Sequence, residues 1–174
     1  MKFASCQILL LLFACHLVAQ QPDTEFPKEF IMHLKLHNGM VTNFKGTAPD
    51  AYIGGLQLVP QFTIVPHAIR GGIVLDGFYT GKKIQGAVGP TISFKLKSLN
   101  LNPFGTGGNI HINIDHLWGS ERQRLLGGGI NADIGNKLVL ALTLHRDYEL
   151  NNWWIQSGLG IRISKVKKVK EPFN

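Results

Sequence analysis

From Gly108 to Ser164 the chain runs in short stretches where apolar and polar residues alternate, separated by turn-forming residues. In 109–115, Ile110, Ile112 and Ile114 alternate with His111, Asn113 and Asp115. In 138–145, Leu138, Leu140, Leu142 and Leu144 alternate with Val139, Ala141, Thr143 and His145. In 154–164, Ile155, Leu159, Ile161 and Ile163 share one face, and Gln156, Gly158, Gly160 and Arg162 the other. Successive side chains of a strand point to opposite sides. A period of two therefore predicts strands with one face against an apolar medium and the other face away from it.

The same period extends towards the N-terminus. A first strand is expected near 30–44, with Phe30, Met32, Leu34 and Leu36 opposite His33, Lys35 and His37. A second covers 52–65, where Gly54-Gly55 and Pro60 mark bulges or bends. The third (69–79) sets Ile73, Leu75 and Gly77 against Val74 and Asp76. The fourth (84–99) sets Ile92, Phe94 and Leu96 against Ser93, Lys95 and Lys97. The remaining four are expected at 109–118, 122–134, 138–148 and 153–164. Thr80-Gly-Lys-Lys83, Gly119-Ser-Glu121 and Gly135-Asn136 serve as tight turns. No helical period follows the first 19 residues. The prediction is all-β: an eight-stranded antiparallel up-and-down transmembrane β-barrel over 29–164, its interior filled by its own side chains.

A soluble eight-stranded carrier would give the same strand count, and three features favour lipid. The polar faces gather charge that a ligand-holding apolar cavity would not tolerate: Lys95, Lys97, His111, Asn113, Asp115, Asn131, Asp133, His145 and Arg162 are expected as an interior polar network, with Asp76 on the same surface. The aromatics are one-sided. With the first strand leaving the inner side, Tyr52, Tyr79, Trp118, Tyr148, Trp153 and Trp154 all fall at the outer end, as an interfacial girdle requires. The opposite girdle would rest on Phe30, Phe62, Phe94 and Phe104. Finally, the apolar positions carry no charge, and a Lys or Arg at mid-bilayer costs about 2–4 kcal/mol.

The ends refine this picture. Residues 1–19 read as a cleaved secretory signal: Lys2, then the apolar run Ile8 to Ala14, then Leu17-Val-Ala19. That run is too short to cross a bilayer as a helix, which needs about 20 residues. Both cysteines, Cys6 and Cys15, lie within it, so no disulfide is expected in the mature chain. Leu12-Phe-Ala-Cys15 loosely resembles a lipoprotein box, which leaves lipidation of Cys15 as the alternative to a discarded cysteine. Residues 20–28 read as a disordered lead-in and 165–174 as a basic C-terminal tail. That tail holds Lys165, Lys167, Lys168 and Lys170, much of the net charge of +7. An exported chain whose cationic run lacks interleaved aromatics is not expected to bind nucleic acid; a solvated tail, or one touching acidic headgroups, is.

On this pattern, with His116-Leu-Trp-Gly119, Gly127-Gly-Gly129 and Asn151-Asn-Trp-Trp154, the chain resembles the small bacterial outer-membrane β-barrel proteins, especially uncharacterised ones of the Bacteroidetes type. The resemblance covers most of 28–164. It implies a Gram-negative outer membrane, contact with its lipid and lipopolysaccharide, delivery by the barrel assembly machinery, and a monomer. Such barrels end their last strand on an aromatic residue, whereas this one ends Ile161-Arg-Ile-Ser164, with Phe173 beyond.

Candidate chemistry is sparse. His111, Asp115 and His145 share a face, with Thr143 beside His145. Outer-membrane lipid A deacylases and acyltransferases use a His with a Ser and an acid. No His-x-Ser step occurs, and Ser93, Ser98, Ser120 and Ser157 have no evident histidine partner. His33 and His37 stand about 13 Å apart at strand rise, too far to share a metal ion. Gly127-Gly-Gly129 lacks the lysine and helix of a phosphate loop. Neither a cofactor nor a metal is expected. The expected role is structural or surface-binding through the outer loops 45–51, 80–83, 119–122 and 146–152, and not an open pore. The alternatives are a lipid-modifying barrel enzyme and a soluble periplasmic lipid carrier.

Overall fold

The computed structural model describes residues 30–44, 50–101, 106–134 and 137–163. The expected signal, lead-in and basic tail lie outside them, as does Phe104. Eight strands follow in order: β1 (Ile31–Thr42), β2 (Ala51–Val65), β3 (Ile69–Thr80), β4 (Lys83–Leu101), β5 (Thr106–Gly119), β6 (Arg124–Ile134), β7 (Leu138–Asp147) and β8 (Asn152–Arg162). Each pairs antiparallel with the next, and β1 pairs with β8 from His33↔Arg162 to Thr42↔Trp153, which closes the ring. The eight expected strands and the closure are present, with ends displaced by a few residues, and so are the turns at 80–83 and 119–121; the expected turn at Gly135-Asn136 lies outside the described residues.

Local chemistry fixes the turns. Gly81 and Lys82 both take positive φ (57° and 66°), the type I′ geometry that matches the twist of a two-residue hairpin. The β2–β3 turn closes through Ala68 N donating to Val65 O at 3.2 Å, with His67 left-handed at φ 63°. At the β7–β8 turn, the Asp147 carboxylate accepts from the backbone N–H groups of Glu149 (3.1 Å) and Leu150 (3.0 Å), and across the sheet from Arg124 N (3.3 Å). A side chain that satisfies orphaned turn donors is the usual reason for aspartate there.

Alternation then sorts every strand. Leu138, Leu140, Leu142 and Leu144 of β7 point out, as do Ile114 of β5, Ile155, Leu159 and Ile161 of β8, and Leu56 and Phe62 of β2. The inward set is buried and layered. At the outer mouth Ile53, Phe78, Ala87, Leu117, Leu125 and Trp154 pack as one apolar cluster, with Val41 against it. Below them, towards the inner end, the buried residues are predominantly polar or charged. The expectation of a polar interior thus holds for the lower lumen, while its outer mouth is sealed by hydrocarbon.

A charged, filled lumen as the candidate functional site

Three aspartates organise the lumen. Asp133, from β6, faces Arg162 Nη2 at 3.4 Å, Arg70 Nη1 at 3.9 Å and His111 Nδ1 at 4.0 Å, all from different strands. Asp115, from β5, accepts from His145 Nε2 at 3.2 Å and from Asn113 Nδ2 at 2.5 Å. Asp76, from β3, takes a hydrogen bond from His37 Nε2 at 2.8 Å. Lys35 is buried in the field of Asp115, Asp76 and Asp133. Three cations (Lys35, Arg70, Arg162) thus balance three carboxylates away from water, as buried charge demands.

Neutral groups complete the packing. Asn131 Nδ2 donates to Asn113 Oδ1 at 2.5 Å, Gln61 Nε2 to Ser93 Oγ at 2.8 Å, and Thr143 Oγ1 to Gln156 Oε1 at 3.1 Å. Between these side chains lies a polar cavity of about 10 Å³, lined by His33, Lys35, Gln61, His111 and Asp115 among others. That is room for about one water molecule. It admits neither a lipid tail nor a hydrated ion path.

The triple glycine of β6 belongs to this packing. A Cβ on Gly127, Gly128 or Gly129 would run into the backbone carbonyl of Leu144, Asn113 or Leu142 respectively. Only glycine lets β5 and β7 approach β6 this closely.

The residues expected inside largely meet here. His111, Asn113, Asp115, Asn131, Asp133, His145 and Arg162 are buried. Lys95 is half-buried, opposite His111. Lys97 is a correction: it is exposed. A bulge between Lys95 and Lys97 pairs Lys97 with the outward-facing Ile110, so the parity of β4 flips beyond it. A second correction concerns the girdle. Tyr52, Tyr79, Trp118 and Tyr148 are exposed at the outer end, with Trp153 half-buried beside them. Trp154, in contrast, turns inward and meets Phe78 edge-to-face, centroids 5.2 Å apart. On the inner side the Phe30 and Phe62 rings meet at a tilt of 50°, centroids 5.0 Å apart.

The expected network omitted Arg70 and Asp147, and also His33, Lys35 and His37, which the sequence pattern places on the polar face of the first strand; all five are buried. The signal was available for Arg70, which shares parity with Val74 and Asp76 on β3.

No family model and no curated protein matches this chain. A solved structure described as "De novo design of transmembrane beta-barrels" is similar at a TM-score of 0.45 and 9% identity, spanning 79% of this chain and 97% of that one.

Chemically, the lumen can hold charge and exclude solvent. Asp115 and His145 form an acid–imidazole pair, and the hydroxyl beside it is that of the buried Thr91, which bonds the Asp115 carboxylate; Ser93 is bonded to Gln61, and Thr143 to Gln156. Ser157 faces outward, donating to Asn38 Oδ1 at 2.9 Å. Ser120 accepts from Gly86 N in a turn. The pair is buried, beneath the apolar outer cluster.

Proposed function

We propose that this chain is a bacterial outer-membrane β-barrel whose sealed interior makes it a scaffold, structural or surface-binding through its outer turns, rather than a pore or an enzyme. One observation carries the reading: the sidedness is inverted relative to a water-soluble protein. Charged and amide side chains fill the middle, and a continuous ring of Leu, Ile, Val and Phe covers the outside. Soluble monomers rarely expose apolar patches beyond a few hundred Å². In hydrocarbon the same ring is at rest, and closure of the sheet pairs both edges of every strand with a neighbour. The soluble lipid carrier finds no support, since the cavity is polar and about 10 Å³. Gram-negative location, contact with lipopolysaccharide and assembly by the barrel machinery belong to the same proposal.

Fractionation of the expressed protein is the direct test. The expected result is extraction only by detergent, with a folded band that migrates differently from the boiled one. A protein recovered in the soluble fraction, with mobility unchanged by boiling, overturns the reading.

A further inference from the structure

The outward face of β5–β8 differs from the rest of the belt at its outer end. The strand register aligns His116, Leu126, Arg146 and Trp153 in one row across four strands. One step outward, Trp118 pairs with Arg124, and Tyr148 N donates to Arg124 O at 3.1 Å, which sets Tyr148 opposite Arg124. One step inward, the row is Ile114, Gly128, Leu144 and Ile155. Arginine thus begins where the apolar ring stops.

The side chains there are ordered by one another and not by acids. Arg146 lies over the Trp153 ring, 5.1 Å from its centroid, and bonds Asn151 Oδ1. His116 Nε2 and Tyr148 OH are 2.9 Å apart, and the His116 ring lies 4.6 Å from that of Trp118. Among the described residues, no Asp or Glu stands on the outward face of these four strands. Two turn acids flank the sector: Glu121 faces Lys83 Nζ at 3.5 Å, and Glu149, in the β7–β8 turn, donates its backbone N–H to Asp147. The sector is one-sided: towards the same end of the barrel the exposed outward residues of β1–β4 include Met40, Tyr52, Tyr79 and Ile84. Arg124 and Arg146 are diagonal neighbours, about 7–8 Å apart at the backbone, within reach of one phosphate for two guanidinium groups.

We propose that this sector is a binding site for the phosphate-bearing headgroup of an anionic membrane lipid, gripped by Arg124 and Arg146 and flanked by Trp118, Trp153 and Tyr148. The acyl chains would lie along Ile114, Leu144 and Ile155. The inference rests on the membrane reading above. Two arginines at the headgroup level supply charge complementarity, and the aromatic rings hold the sugar-and-glycerol zone beside them.

The test uses the full barrel folded into vesicles of phosphatidylcholine containing brominated phosphatidylglycerol, or the reverse labelling. Trp118 and Trp153 report contact by quenching. The expected result is quenching by the anionic lipid beyond its mole fraction, with a preference of about fivefold per arginine. Arg124→Gln with Arg146→Gln should abolish the preference, the paired Lys substitutions should retain most of it, and Lys82→Gln in the β3–β4 turn should leave it intact. Wild-type barrel quenched equally by both lipids refutes the site while leaving the membrane reading standing. A chain that inserts into neither vesicle refutes the membrane reading itself. Should the double Gln variant not fold, the wild-type ratio still decides.

Discussion

Replacing Asp133 with asparagine removes the one carboxylate shared by Arg70 and Arg162. Both arginines are buried: the Arg70 side chain is 0% exposed and that of Arg162 3%. At an effective dielectric of 20, the attractions at 3.4 Å and 3.9 Å are worth about 5 and about 4 kcal/mol before desolvation. Desolvating the three ions costs several kcal/mol each, so most of that attraction is already spent in the folded state. Loss of the carboxylate removes the counter-charge that both buried arginines share, and a net cost of about 3–5 kcal/mol follows. The assay is urea unfolding of the vesicle-inserted barrel, read by Trp fluorescence and by the fraction of heat-modifiable band. Two companions sharpen it. Glu121→Gln breaks the exposed Lys83–Glu121 pair and should cost under about 1 kcal/mol. Adding Arg162→Met to Asp133→Asn should recover part of the loss, because one of the stranded charges goes with it. An Asp133→Asn barrel as stable as the parent would mean that water reaches the cluster, and the account of a sealed lumen would fail.

Leu142, at 65% exposure on the outward face of β7, should not tolerate arginine: Leu142→Arg is expected to cost about 2–4 kcal/mol in a bilayer, whereas a water-facing site would lose almost nothing. Trp154→Ala should destabilise by about 3–5 kcal/mol through loss of the Phe78 contact and the cavity left in the outer cluster; the half-buried Trp153→Ala should cost clearly less, as paired unfolding curves would reveal. His111→Ala together with His145→Ala should leave the lipid A of the native strain unchanged by mass spectrometry; an altered acylation pattern would make the buried Asp115–His145 pair catalytic.

The strands were legible because a period of two, punctuated by Gly, Asn and Pro, survives in all eight. The sidedness followed from it: once Ile110, Ile112 and Ile114 face outward, His111, Asn113 and Asp115 have only the lumen left. Parity alone would also have sent Trp154 inward with Gln156; reading its ring as interfacial from its place near the strand end overrode that rule. Lys97 misled for the opposite reason. An extra residue in β4 reverses parity beyond Lys95, and nothing in Phe94-Lys-Leu-Lys97 announces a bulge. Which cation meets which carboxylate was not readable. Asp133 meets Arg70 and Arg162 only because of the stagger of the closed ring, a long-range property that no local pattern encodes. The apolar outer cluster escaped notice because its members come from most of the strands, typically one inward residue apiece.

The seam between β1 and β8 governs how the molecule can come into being. His33 through Thr42 find their second set of backbone partners only in residues 153–162, so the ring stays open until almost the whole barrel sequence is available. Until then both border strands present bare N–H and C=O groups, and in hydrocarbon those groups have nothing else to bond. In a bilayer, as proposed, sealing and insertion would then be one event, with two distant edges to shield until the ring closes.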